Sequence, residues 1–185
     1  MARLLPLQPL TRKGFVPFGD VLDTSGPNSF PTNGGDALRF HELGIADCQA
    51  DDGRTLLSIF RILKVGAPSP LQLMERHPIS SQAFMPLDRM RMIVVVAEAS
   101  VLPDATSLRA FISDGRQGVN FRRGTWHHPL IALDPGDVFV VDRDGSGPGF
   151  TQDYDEVDIA GLGLSLAPTP QDFTPTQNPY SGAST

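Results

Sequence analysis

The chain has 185 residues, 40% hydrophobic and 19% charged, a globular balance that excludes wholesale disorder and suits a single domain with a real core. A formal charge of −6, from 21 acidic against 15 basic residues, excludes a sequence-independent grip on nucleic acid or on an anionic membrane. The single cysteine, Cys48, leaves no internal disulfide framework and fits a reducing cytoplasm, and it reads as a small half-buried side chain.

The opening "MARLLPLQPL" is apolar but interrupted by Pro6 and Pro9, with no small-residue cleavage site after it. It reads as a mature N-terminus. "LTRKGFVPFGD" is the one good helical stretch, with Thr11 as N-cap and Gly19 as the stop. Short apolar or alternating segments follow: "LRFHEL", "TLLSIFRILKV", "LQLMERH", "MIVVVA", "LRAFI", "DVFVVD" and "IAGLGLSL". With 18 Gly and 17 Pro spread among them, they predict an all-β sandwich or barrel carrying a short N-terminal helix. "MIVVVA", the longest apolar run, is too short to span a bilayer. "DPGD" predicts a type II turn, Pro135 second and Gly136 supplying the positive φ. "DGSGPGFTQDYDEVD" reads as an acidic surface loop. No repeat or linker divides the chain, so residues 1–185 read as one domain, with an irregular tail from about Pro168.

Two stretches carry chemistry. In "LQLMERH", strand alternation puts Leu71, Leu73, Glu75 and His77 on one face and Gln72, Met74 and Arg76 on the other. A carboxylate and an imidazole therefore follow leucines toward the apolar side, where Glu75 must be paired, protonated or bound to a cation. Alternatively, Glu75 and His77 form a satisfied pair at a barrel rim. "GTWHHPL" holds two of the four histidines, His127 and His128, beside Trp126. Taken alone, that pair reads as packing.

Together the two stretches resemble the metal motifs of the cupin superfamily. Glu75-x-His77-x4-Gln82 overlays the first, His-x-His-x3–4-Glu, and Gly124-x2-His127 overlays the second. Glu75 stands where that pattern has histidine, and Gln82 where it has glutamate. "ERHPISSQAFMPL", "LRAFISDGRQGVNFRRGTWHHPL" and "VVDRDG" resemble more narrowly the signature blocks of the ureidoglycolate lyase family, with the likeness running from about Leu4 to Leu166. The resemblance implies a cupin-like double-stranded β-helix, usually dimeric, that cleaves (S)-ureidoglycolate to glyoxylate and urea in allantoin and purine breakdown. The positions it singles out here are Glu75, His77, Gln82, Asn120, His127, His128, Asp142 and Arg143.

On that implied substrate, a base takes the hydroxyl proton as the C–N bond breaks, and an acid protonates the departing nitrogen. His127 and His77 are the expected bases, and a protonated Glu75 the expected acid. Gln82, Asn120, Arg143 and His128 are the expected substrate contacts, with Asn120 placed for the ureido group. Of the two adjacent histidines, His127 is expected to turn inward and His128 outward. Glu75, His77, Gln82 and His127 also form a candidate ligand set for a divalent transition metal such as Ni, Mn or Zn. The residues leave metal-bound and metal-free versions open, and nothing points to an organic cofactor. Two other readings compete: a metal-dependent isomerase or oxygenase of the same fold, and a non-catalytic small-molecule-binding cupin.

Overall fold

The computed structural model describes residues 3–26, 28–66, 70–103, 105–144 and 152–167. The tail expected from Pro168 lies outside them. In chain order the strands are β1 (Arg3–Leu5), β2 (Leu7–Pro9), β3 (Gly19–Leu22), β4 (Ser29–Thr32), β5 (Ala37–Phe40) and β6 (Arg54–Arg61). They continue as β7 (Leu73–Arg76), β8 (Gln82–Pro86), β9 (Met92–Ala97), β10 (Arg109–Ile112) and β11 (Gly118–Phe121). The last are β12 (Trp126–His127), β13 (Ile131–Ala132), β14 (Asp137–Asp144), β15 (Asp155–Asp158) and β16 (Leu164–Leu166). One α-helical turn, α1 (Arg12–Phe15), lies between β2 and β3.

Two sheets carry the architecture. One runs β15-β7-β12-β9-β10-β2, with β13 also on β9, and the other runs β3-β11-β8-β14-β6. Between them lies an apolar core built from Phe84, Val119, Phe121, Val138 and Val140 of one sheet and Met92, Val94, Val96 and Phe111 of the other. This is the all-β architecture that the short alternating segments predict, in the cupin-like form that the resemblance implies. The far face of the first sheet is also covered, by Leu5, Leu71, Ile159 and Leu164 packing on Met74, Ile93, Val95 and Trp126. All six residues of β9 are consequently buried, which explains why "MIVVVA" is continuously apolar and does not alternate.

Several local expectations give way to tertiary contacts. Thr11 caps α1, its Oγ1 accepting from the Gly14 amide at 3.1 Å, but the helix ends at Phe15. Pro17 has no N–H to extend it. Gly19 is no helix stop: it opens β3, where a Cβ would lie 2.0 Å from the Asn120 carbonyl oxygen. Gly136 has φ 159°, not the roughly +80° of a type II turn. The Arg91 amide and guanidinium clamp Asp134, and the Ile62 amide donates to the Gly136 carbonyl, so the segment is shaped from outside. The first half of "IAGLGLSL" is a 3-10 turn, Ala160–Leu162, and only Leu164–Leu166 is strand. Cys48 is fully buried, not half-buried. The acidic "loop" ends in a strand, β15, that pairs with β7.

Candidate active site

Within β7 the alternation holds, but Leu71, expected on the Glu75 face, precedes the strand and packs with Met74 in the outer core. Met74 enters the outer core, while Arg76 sits 4.6 Å over the Trp126 ring and donates to Asp155. Glu75 and His77 turn to the opposite side, between the two sheets. There β12 brings His127 into register with Glu75, and β15 brings Tyr154 and Asp153 to the same end.

His127 is 1% exposed. Its ring lies flat on Phe121, with centroids 4.2 Å apart and an interplanar angle of 14°. Nδ1 donates to the Thr125 carbonyl at 3.0 Å, which leaves Nε2 facing Glu75 Oε1 at 3.4 Å. That separation is an ion-pair contact without the alignment of a hydrogen bond. The His77 ring stacks 5.7 Å from that of His127, and its Nδ1 donates to the Asp153 carbonyl at 2.7 Å. Both imidazoles thus have one nitrogen committed to a carbonyl, which fixes ring orientation and directs the other nitrogen into the pocket.

Burial pushes the Glu75 carboxyl up, but the His127 contact and charge, the His77 charge and the Tyr154 hydroxyl outweigh it and hold the group below its ordinary value. This direction runs against the protonated Glu75 that burial on its strand leads one to expect. Tyr154 Oη donates to Glu156 Oε2 at 2.6 Å and lies 3.4 Å from Glu75 Oε2. On the facing sheet, β8 and β14 place Gln82 against Asp142. Burial raises the Asp142 carboxyl, with the Gln82 hydrogen bond and the His77 charge opposing.

Among the described residues, five buried polar atoms at this end have no hydrogen-bond partner: His77 Nε2, His127 Nε2, Gln82 Oε1, Asp142 Oδ1 and Asp153 Oδ2. Each such atom costs about 1–3 kcal/mol unless something else satisfies it. Their concentration at one end of the two sheets marks a cluster suited to a polar ligand.

Other expected contacts lie elsewhere. Phe121 faces the pocket, so its neighbour Asn120 faces the other side of β11, where its amide donates to Asp20 Oδ2 and the Ile45 carbonyl. Asp142 faces Gln82, so Arg143 turns away, and its guanidinium donates to the carbonyls of Ala50 and Asp51. His128 is half-buried, with Nδ1 donating to the Pro129 carbonyl at 2.7 Å. Burial lowers its pKa, only partly offset by that carbonyl and by Glu75. Sequence reasoning missed Asp153 and Tyr154, because nothing in "TQDYDEVD" distinguishes a strand that closes a pocket from a solvated acidic loop.

The donor types at this end, two imidazoles, carboxylates and an amide, are chemically suited to a transition metal. Their arrangement does not complete a site: among the described residues no three His, Cys, Asp or Glu side chains are grouped to hold an ion.

A family model described as "Ureidoglycolate lyase" matches residues 2–160 of this chain. The chain belongs to the ureidoglycolate lyase family. A ureidoglycolate lyase of Pseudomonas syringae pv. tomato is 43% identical over 171 residues, covering 92% of this chain and 99% of that one. A ureidoglycolate lyase of Burkholderia mallei is 48% identical over 146 residues, covering 78% and 85%, and one of Azotobacter vinelandii is 40% identical over 153, covering 82% and 92%. Among solved structures, a dTDP sugar isomerase from Desulfovibrio desulfuricans G20 aligns over 90% of this chain and 91% of its own, with 18% identity and a TM-score of 0.40. The pocket residues Glu75, His77, Gln82, His127, Asp142 and Tyr154 all fall inside the span matched by the lyase family model.

Proposed function

We propose that this chain cleaves (S)-ureidoglycolate to glyoxylate and urea, a step of allantoin breakdown, by paired imidazole acid–base chemistry. The observation that carries the reading is the two stacked histidines whose Nδ1 atoms are held by carbonyls and whose buried Nε2 atoms have no hydrogen-bond partner. His77 Nε2, with no protein partner, accepts the proton of the substrate hydroxyl. The O–H electron pair becomes the C=O bond of glyoxylate, and the C–N pair leaves with the nitrogen of urea. His127 faces acceptors at both ring nitrogens, the arrangement of a proton donor, and Nε2 protonates the departing nitrogen. Glu75 stays ionised and supports the cationic ring. Gln82 Oε1 accepts from a ureido N–H. No water is consumed and no redox change occurs.

The exposed side of β6 supports a homodimer. It is the edge strand of its sheet, yet Leu57 and Ile59 on its outer face are 70% and 61% exposed. An unpaired apolar edge of eight residues is a liability unless covered, and an antiparallel copy of the same strand would cover it. The deciding experiment for the chemistry incubates purified protein with ureidoglycolate, with and without chelator. Glyoxylate and urea in equal amounts, with no ammonia, support the reading. Ammonia in place of urea contradicts it, and loss of turnover with chelator would move the proton chemistry onto a metal.

A further inference from the structure

On the far side of β11 from the histidines lies a cleft of about 840 Å³, lined among others by Asp20, Glu42, Ala46, Asn120, Arg122 and Arg123. Asn120 is only 5% exposed, and both its N–H groups are taken, by Asp20 Oδ2 at 3.1 Å and the Ile45 carbonyl at 3.0 Å. Those two acceptors fix which end of the amide is which. Its oxygen is left buried in the cleft wall without a partner, so it calls for an N–H or O–H donor. Arg122 and Arg123 carry planar guanidinium groups suited to a carboxylate, while the acids Asp20 and Glu42 suit further donors.

The wall is assembled with some strain. Glu42 is a non-glycine residue at φ 52°, and the segment beyond it is latched by reciprocal bonds between Asp47 and Ser81, the Asp47 amide to Ser81 Oγ at 2.8 Å and the Ser81 amide to the Asp47 carbonyl at 2.9 Å. Arg123 adds an ion pair to Asp47 at 2.8 Å. Strained backbone held by surrounding contacts is typical of ligand clamps.

We infer that this cleft is a second binding site, outside the barrel, for a small carboxylate bearing ureido or amide N–H donors. Carboxylate meets Arg122 and Arg123, and the N–H groups meet Asn120 Oδ1 and the flanking acids. The carboxylate and the N–H donors follow from the cleft's own groups, and the ureido form of those donors rests on the reaction proposed for the barrel. A ligand here would press on Asn120, whose chain neighbour Phe121 stacks on His127.

The test titrates N-carbamoylglycine, a ureido acid with no hydroxyl to lose, by isothermal calorimetry, and measures turnover of ureidoglycolate in parallel. Ala46→Trp fills the exposed cleft wall without removing any polar group. One binding event present in wild type should vanish in Ala46→Trp and weaken tenfold or more in Arg122→Ala, with kcat of Ala46→Trp unchanged. Superimposable titrations of wild type and Ala46→Trp overturn the inference. So does a parallel fall of binding and kcat in Ala46→Trp, which would make the cleft only the mouth of the barrel. If wild type releases no glyoxylate while the cleft event persists, the lyase reading fails and the second site stands.

Discussion

The space between the two sheets has an apolar half and a polar half, and the same strands build both. On β14, Val138 and Val140 are fully buried in the core, whereas Asp142, two residues on, faces Gln82. On β8, Phe84 packs against Phe121 at 5.9 Å, while Gln82 carries a buried amide oxygen with no partner. In the apolar half, Phe15, Phe18 and Phe111 meet at tilted or edge-on angles with centroids 5.5–5.9 Å apart. In the polar half the protein leaves hydrogen-bonding capacity unused, which stabilises nothing until a ligand arrives. Stability and chemistry therefore sit at opposite ends of shared strands, and substitutions should separate them.

The largest separation is expected at the histidines. His77→Ala and His127→Ala should each lower kcat by about a hundredfold or more, as for loss of a general acid or base. Each also removes a ring nitrogen bonded to a carbonyl, and His127→Ala removes a buried ring stacked on Phe121, so kcat is compared per folded molecule. His128→Ala should cost far less turnover. Steady-state kinetics beside thermal melts check all three, and a reversed order of His127 and His128 would break the proposed roles.

Phe84→Ala is the counterpart in the apolar half. It should cost about 3–5 kcal/mol of stability, read from urea unfolding, while the folded fraction keeps kcat within a few-fold. A large kcat loss at full folding would mean the two halves are coupled.

Outside the barrel, Leu57→Lys combined with Ile59→Lys should convert a dimer to a monomer by light scattering, because two ammonium groups cannot be buried across a strand pair. A dimer surviving that change would move the interface elsewhere.

The smallest effect concerns Asp134, whose carboxyl the Arg91 guanidinium holds down to about 2, from an ordinary 3.8. A folded-state value below the unfolded one stabilises above pH 3.8 and is lost as pH falls through 2. The pair is about a third exposed, so Asp134→Asn should cost only about 1 kcal/mol at neutral pH after allowance for screening. That difference should vanish between pH 4 and pH 2, as measured by denaturant unfolding across the range.

Features set by near neighbours along the chain are legible before folding. Period-two alternation puts Glu75 and His77 on one face and Arg76 on the other, the Thr11 hydroxyl caps the turn three residues ahead, and short Gly- and Pro-bounded segments make an all-β molecule. The signature blocks, read as a resemblance, carried the family. Only the tertiary structure decided what depends on pairing between distant strands. Glu75, His127 and Tyr154 meet because β12 and β15 flank β7, and no local pattern encodes that register. Alternation says that Asn120 opposes Phe121 and Arg143 opposes Asp142, but not which side is the inside. Packing of the core decided that, turning Asn120 and Arg143 away from the histidines. The Glu75 carboxyl follows the same rule: burial pushes it up, and the His127 and Tyr154 contacts brought by other strands help hold it below its ordinary value.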